Sequence, residues 1–252
     1  MIRILIAICA LTFFSCSNNG GSNERPRITI PVEHIVAAKD QQERRSKSEA
    51  YCKSHNIPIY TNPNALFVDP EDSVTIRTQN EVTDRALALF YIGAKSEGLE
   101  QKQLYKIGHD FNINAKLTAS EREYATTKKP TQQQNIDASW RYESLHLMLW
   151  ALGFIDTLSY PNQICDVAGD LKIIQDLTEQ QFKQKAKLRS SKEILDQADL
   201  ILRLDWACVS AKEKKQSAPG NLVDGVVVER HQSLNWLINY LHEDWDKVTT
   251  DT

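Results

Sequence analysis

Residues 138–155 read ASWRYESLHLMLWALGFI. From Leu145, the side chains Leu147, Met148, Leu149, Trp150, Ala151, Leu152, Phe154 and Ile155 leave almost no polar face. Successive helical residues spread around the axis, so a segment apolar on all sides must be enclosed by other elements. The stretch is therefore predicted to be the central helix of an all-α domain. It also carries Glu143 and His146, which need partners wherever they are buried.

The flanking sequence supplies the helices that would enclose it. Thr78-Gln79-Asn80-Glu81 has the form of a capping box, with a hydroxyl at the N-cap and Glu three residues on. Val82, Ala86, Leu89, Phe90 and Gly93 then recur at a spacing of 3–4, one buried face. Gln101 to Asp110 reads as a shorter helix, and Leu117-Thr118-Ala119-Ser120-Glu121 repeats the capping pattern. Ser190-Ser191-Lys192-Glu193 opens a helix with Ile194, Ala198, Ile201, Leu202, Trp206 and Val209 on its apolar face. A last helix is predicted from Val226 to Leu241, and a first one from Pro31 to His55. Residues 57–69 hold two prolines and read as an extended connector or a small strand pair. Among the 252 residues only 9 are glycine, which favours helices over a turn-rich sandwich. The expectation is a single compact multi-helix domain of some seven helices over residues 27–252.

Charge and leader bound the setting. Thirty basic residues against 33 acidic give −3, so no positive field exists to recruit nucleic acid. Residues 1–15 read as a signal peptide: Arg3 is followed by the apolar run Ile4–Phe14. That run is eleven residues by count, whereas a membrane-spanning helix needs about 20. Ser15-Cys16 then resembles a bacterial lipobox, which makes Cys16 the expected lipidation site and residues 16–26 a flexible tether. Ser17 after it points to the outer membrane, facing the periplasm. Ordinary secretion with Cys16 a free thiol is the alternative. Cys52, Cys165 and Cys208 remain, an odd number without CxxC spacing, so neither a zinc knot nor a disulfide framework is expected. A single Cys52–Cys165 bridge stays open, and Cys208 reads as a small core residue.

Trp140-Arg141-Tyr142-Glu143, Leu149-Trp150-Ala151-Leu152-Gly153, Leu188-Arg189-Ser190 and Glu193-Ile194-Leu195-Asp196 form a distinctive set. Ala198-Asp199-Leu200-Ile201, Arg203, Trp206-Ala207, Val227-Val228-Glu229-Arg230-His231, Leu234-Asn235-Trp236-Leu237 and Trp245-Asp246 continue it. In these residues the chain resembles the family known as domain of unknown function 4272. A weaker match at Arg77-Thr78, Glu81-Val82 and Arg85-Ala86 extends the likeness towards the N-terminus. The resemblance implies a largely helical domain. It brings no activity, substrate or catalytic residue.

The polar residues divide between chemistry and architecture. Glu143 and His146 form Glu-x-x-His, the spacing that places a carboxylate and an imidazole inward in di-iron bundles. Those centres need a second such pair, and His242-Glu243 with Asp246 is the nearest approximation, so no metal or other cofactor is expected. Glu229 and His231 open the final helix, where the dipole alone favours a carboxylate. Asp199 and Arg203 are ordered for an i, i+4 ion pair. Arg141, Arg189, Arg203 and Arg230 are expected to pair with Glu143, Glu193, Asp199 and Glu229 in a partly buried structural network. Lys183, Lys185, Lys187 and Arg189 read as one solvated helical face. The five tryptophans read as core or as an aromatic groove, with Trp245 anchoring the C-terminus.

No G-x-S-x-G, H-E-x-x-H, G-x-G-x-x-G or phosphate loop is present. The reading is a binding or interaction module of the cell envelope, held at the membrane by lipid on Cys16 and meeting a protein or small-molecule partner. The rival is a hydrolase or metal-dependent enzyme using Glu143, His146, Asp199, Glu229 and His231. The two differ in whether these side chains converge on an open pocket.

Overall fold

The computed structural model describes residues 36–63 and 66–252. The leader, Cys16 and the tether lie outside the described residues. Among the described residues there are ten α-helices and no strand, so the strand pair considered for residues 57–69 does not form in the described part of that connector.

α6 (Arg141–Ala151) is buried on every side, as its composition requires; Leu145, Leu147, Leu149 and Ala151 are wholly inaccessible. It lies within a row of long helices. α2 (Gln79–Ser96) packs on one side of it and α10 (Asp224–Leu237) on the other. α9 (Ser191–Glu213) packs against α10, and α1 (Lys39–Ser54) closes the row against α9. The shorter α3 (Gln101–Asp110), α4 (Ala119–Thr126), α5 (Gln132–Ser139) and α8 (Glu179–Lys185) gather around α2, while α7 (Val167–Gln175) packs on α6.

Local chemistry sets the helix ends. The expected caps form at Thr78 with Glu81, Thr118 with Glu121 and Ser190 with Glu193. Thr131 with Gln134 and Thr178 with Gln181 add two more, starting helices that hydrophobic periodicity does not reveal. α6 stops in a Schellman motif: Gly153 takes φ +75°, Phe154 N–H donates to the Leu149 carbonyl and Gly153 N–H to that of Trp150.

Four expectations are corrected. The first helix starts at Lys39, since residues 36–38 are not helical. The last stops at Leu237, because Asn239, Leu241 and His242 take left-handed backbone angles that break the ladder. Val209 on α9 faces solvent at 37% exposure rather than joining the core. The run from Lys183 to Arg189 is not one helical face, since α8 ends at Lys185. Lys183 bridges Glu179 and Asp84, both at 2.9 Å, while Arg189 reaches the carbonyls of Trp150, Ile155 and Asp156.

The C-terminus docks as expected. Trp245 is buried edge-on against Trp236 at 5.6 Å, with the Arg85 guanidinium 5.0 Å from its ring centre. Asp246 accepts from the Ser120 backbone and hydroxyl at the start of α4.

Gly93 is the point of closest approach between α2 and α6: a Cβ there would stand 2.5 Å from the Tyr142 ring. Helix propensity alone makes Gly→Ala stabilising by about 0.5–1 kcal/mol. Overpacking costs about 1–3 kcal/mol and wins here because Tyr142 is itself buried. Gly93→Ala is expected to lower stability in urea denaturation; a variant as stable as wild type would mean that α2 and α6 are not in close contact.

Candidate functional site

α6 carries Glu143, Ser144 and His146 into the core, where each meets a group from another segment. Arg141 at its start is partly exposed, and the buried Tyr142 hydroxyl has no hydrogen-bond partner among the described residues. Glu143 Oε1 accepts the backbone N–H of Cys165, on the loop leading into α7. Ser144 donates to Glu229 Oε2 on α10 at 2.6 Å, and Arg141 holds the same carboxylate at 2.9 Å. His146 Nδ1 lies 3.0 and 2.9 Å from the two carboxylate oxygens of Asp170 on α7. The Tyr142 carbonyl accepts the Cys165 thiol at 3.6 Å.

Arg230, 3% exposed, reaches into the same region from α10. One guanidinium nitrogen donates to the Ser159 carbonyl at 2.7 Å. Burial lowers its affinity for the proton, and the negative charge of Glu143 opposes that. Its other two nitrogens have no hydrogen-bond partner among the described residues, and neither does Glu143 Oε2. Burial raises the Glu229 carboxyl above the ordinary carboxylate range, more than Arg141 and Ser144 lower it. Asp170 is raised by the same cause, with His146 opposing.

The remaining sequence candidates lie in separate couples. Arg203 and Asp199, each about 1% exposed in the side chain, pair at 2.8 Å along α9, and Arg203 also donates to the Leu66 carbonyl. His231 Nδ1 meets Asp205 at 2.6 Å, again wholly buried. Arg189 pairs with Glu193 at 2.8 Å near the surface. The structure therefore joins Arg141 to Glu229, Arg189 to Glu193 and Arg203 to Asp199. Glu143 takes a backbone N–H, with Arg230 only an electrostatic neighbour.

Of the five residues considered for catalysis, Glu143, His146 and Glu229 belong to one continuous cluster, whereas Asp199 and His231 do not. The sequence reading missed Asp170 and Cys165 as members. Asp170 lies on α7, and a buried Asp beside Leu171 and Ile174 was the available signal. Cys52, Cys165 and Cys208 are all free and buried, so no Cys52–Cys165 bridge forms. Burial pushes the Cys52 thiol up to about 11 and the Cys208 thiol up to about 12.

Open concavities lie elsewhere. One of about 540 Å³ is lined by Phe90, Ile107, Phe111 and Leu177, with Gln103, Lys106, His109, Asp110, Gln175 and Thr178 at its rim. A second, of about 460 Å³, lies between α1 and the connector, beside Tyr60 and Phe67. Neither contains a residue of the buried cluster.

Fold and site together define an all-helical domain with a charged cluster enclosed in its core. The chain belongs to the family described as Domain of unknown function (DUF4272), whose profile matches residues 44–248. No curated protein and no solved structure matches it.

Two outcomes follow from the burial. Removing one member of a buried pair leaves a charge unmatched, so Arg203→Ala should cost about 3–5 kcal/mol in chemical denaturation. Arg203→Met with Asp199→Leu should recover most of that; equal losses in the two variants would mean that the ion pair is not the cause. For Glu229, the folded value lies above the ordinary 4.5, so its contribution to stability is complete below that pH and lost as pH rises through the folded value. Glu229→Gln should therefore gain on wild type as pH is raised from about 4 to about 7. A relative stability that is flat or falls with pH would contradict the raised carboxyl.

Proposed function

We propose that this protein is a binding module of the cell envelope, tethered to the membrane by lipid on Cys16, with its ligand place at the 540 Å³ pocket beside α3. The observation that carries the reading is the separation of the two polar settings. The charged side chains that could do chemistry are enclosed in the core, whereas the open pocket has an apolar floor and a polar rim. That volume and lining match ordinary small-ligand sites, about 300–1,000 Å³, mostly apolar with a few polar groups. The floor of Phe90, Ile107 and Phe111 suits an aromatic or branched aliphatic group, and an attached anion would compete with Asp110 for Lys106 and His109 at the rim. The tether rests on the lipobox-like Ser15-Cys16 after a short apolar run. No helix of the described residues is long and apolar enough to cross a membrane, so attachment through the lipid is the economical route. Enzymatic use of Glu143, His146 and Glu229 would require a path from solvent to residues that are 9% exposed or less.

Membrane attachment is tested by fractionation. Wild type should partition with membranes and incorporate labelled fatty acid, while Cys16→Ala should lose the label and turn soluble; unlabelled wild type would remove the tether. Ligand place is tested by saturation-transfer NMR with small aromatic carboxylates. Signal should transfer to wild type and vanish in Gln175→Trp, which fills the pocket mouth. Equal transfer to both proteins would place binding elsewhere.

A further inference from the structure

A potential ion-binding set lies within the enclosed cluster, independent of the surface pocket. One ligand atom each from His146, Cys165 and Asp170 lie within 4.8 Å of one another. They come from three segments, α6, the loop before α7, and α7 itself, so the grouping is tertiary and not a by-product of helical spacing. Glu143 stands against the same cysteine. Its Oε1 accepts the Cys165 N–H, and its Oε2 is buried without a hydrogen-bond partner among the described residues, at 2% residue exposure. A buried carboxylate oxygen without a partner is costly, and a cation is the group that most fully satisfies one.

We propose that His146, Cys165 and Asp170 bind one divalent ion of the zinc class as a closed structural site, with the Glu143 carboxylate, which stands outside the 4.8 Å group, turning in to supply the fourth donor. A thiolate, an imidazole and carboxylates form a donor set that favours zinc over the hard cations, which take oxygen ligands. Bonds of about 2.0–2.3 Å place tetrahedral ligand atoms roughly 3.3–3.8 Å apart, a modest closure from the observed spacing. With exposures of 9% for His146 and Cys165 and 3% for Asp170, the site leaves little room for an exchanging water, the mark of a structural centre.

Ligation replaces the Cys165 S–H bond by a sulfur–metal bond and releases one proton to solvent. Charge then balances. Glu143, Asp170, Glu229 and the thiolate contribute four negative charges; Arg141, Arg230 and the ion contribute four positive ones. Arg230, with two guanidinium nitrogens lacking partners, gains an anionic neighbour when the thiolate forms. In the fold, the ion would clip the connection that leaves α6 and the start of α7 back onto α6.

The test uses the full chain. Purified wild type, loaded with Zn²⁺ and gel-filtered, should retain one ion per chain by elemental analysis. After chelation and reconstitution with Co²⁺ it should show the near-ultraviolet charge-transfer absorption of a cobalt–thiolate bond. Cys165→Ser should drop to background metal and lose the band, while Cys52→Ser with Cys208→Ser should keep both. Because the wild-type measurements need no substitution, a variant that fails to fold does not shield the proposal. Wild type without a retained ion and without the band overturns it. So does a band that persists in Cys165→Ser, or one that disappears when Cys52 and Cys208 alone are replaced.

Discussion

Enclosing α6 on every side leaves its polar groups to find partners inside the protein, and Glu143, Ser144 and His146 each find one there. Apolar side chains alone would leave the helix several acceptable rotations, since Leu, Met and Trp pack against almost any apolar neighbour. The polar ones do not tolerate that freedom. Glu143 meets the Cys165 N–H, Ser144 meets Glu229, and His146 meets Asp170. A shift by one residue turns the helix by about 100° and would leave all three without partners. The cost of an unmatched buried polar group, about 1–3 kcal/mol and more for a charge, then selects a single seating. α7, the loop before it and α10 are positioned by that seating.

Arginine does most of the matching because its planar, permanently charged head serves ion pair, carbonyl and aromatic ring together. Arg189 lies over Trp150 while bonding the carbonyls that close the end of α6. Arg77 lies over Trp236 and holds the carbonyls of Trp236 and Glu243. Arg85 spans Glu121 on α4 and the Trp245 ring. Three of the five tryptophans, Trp150, Trp236 and Trp245, thus carry a guanidinium over the ring and are buried. The same device fastens the C-terminal segment, which has only a short 3-10 turn at Tyr240–His242 and no α-helix after Leu237.

Helices whose apolar pattern and cap agree were legible in the sequence, because both signals are local. α2, α4 and α9 begin at their capping hydroxyls, and α6 declares itself by composition. α5, α7 and α8 are 7–9 residues long, too short for periodicity to emerge. Two of them nonetheless begin with a Thr-x-x-Gln cap, a signal present but unread. The site was legible only where partners are close in sequence, as for Asp199 with Arg203 and Arg189 with Glu193. Arg141 with Glu229 spans 88 residues and His146 with Asp170 spans 24. Such pairs depend on which helix lies beside which, and nothing local in the sequence states that.

The division between core and surface follows from the same constraint. Charges placed inside must be neutralised by contact, which leaves them without capacity for a passing substrate unless the core opens. A surface pocket carries no such demand: around α3, Phe90, Ile107 and Phe111 form a floor that water can cover, while Lys106 and Asp110 pair along α3 at the rim. The domain therefore spends its charged residues on holding one arrangement of helices and presents an apolar hollow outward. An ion at the Cys165 cluster fits that pattern better than a reaction does. It would add a fixed positive charge where carboxylates already converge, and would strengthen the arrangement that the pairs establish.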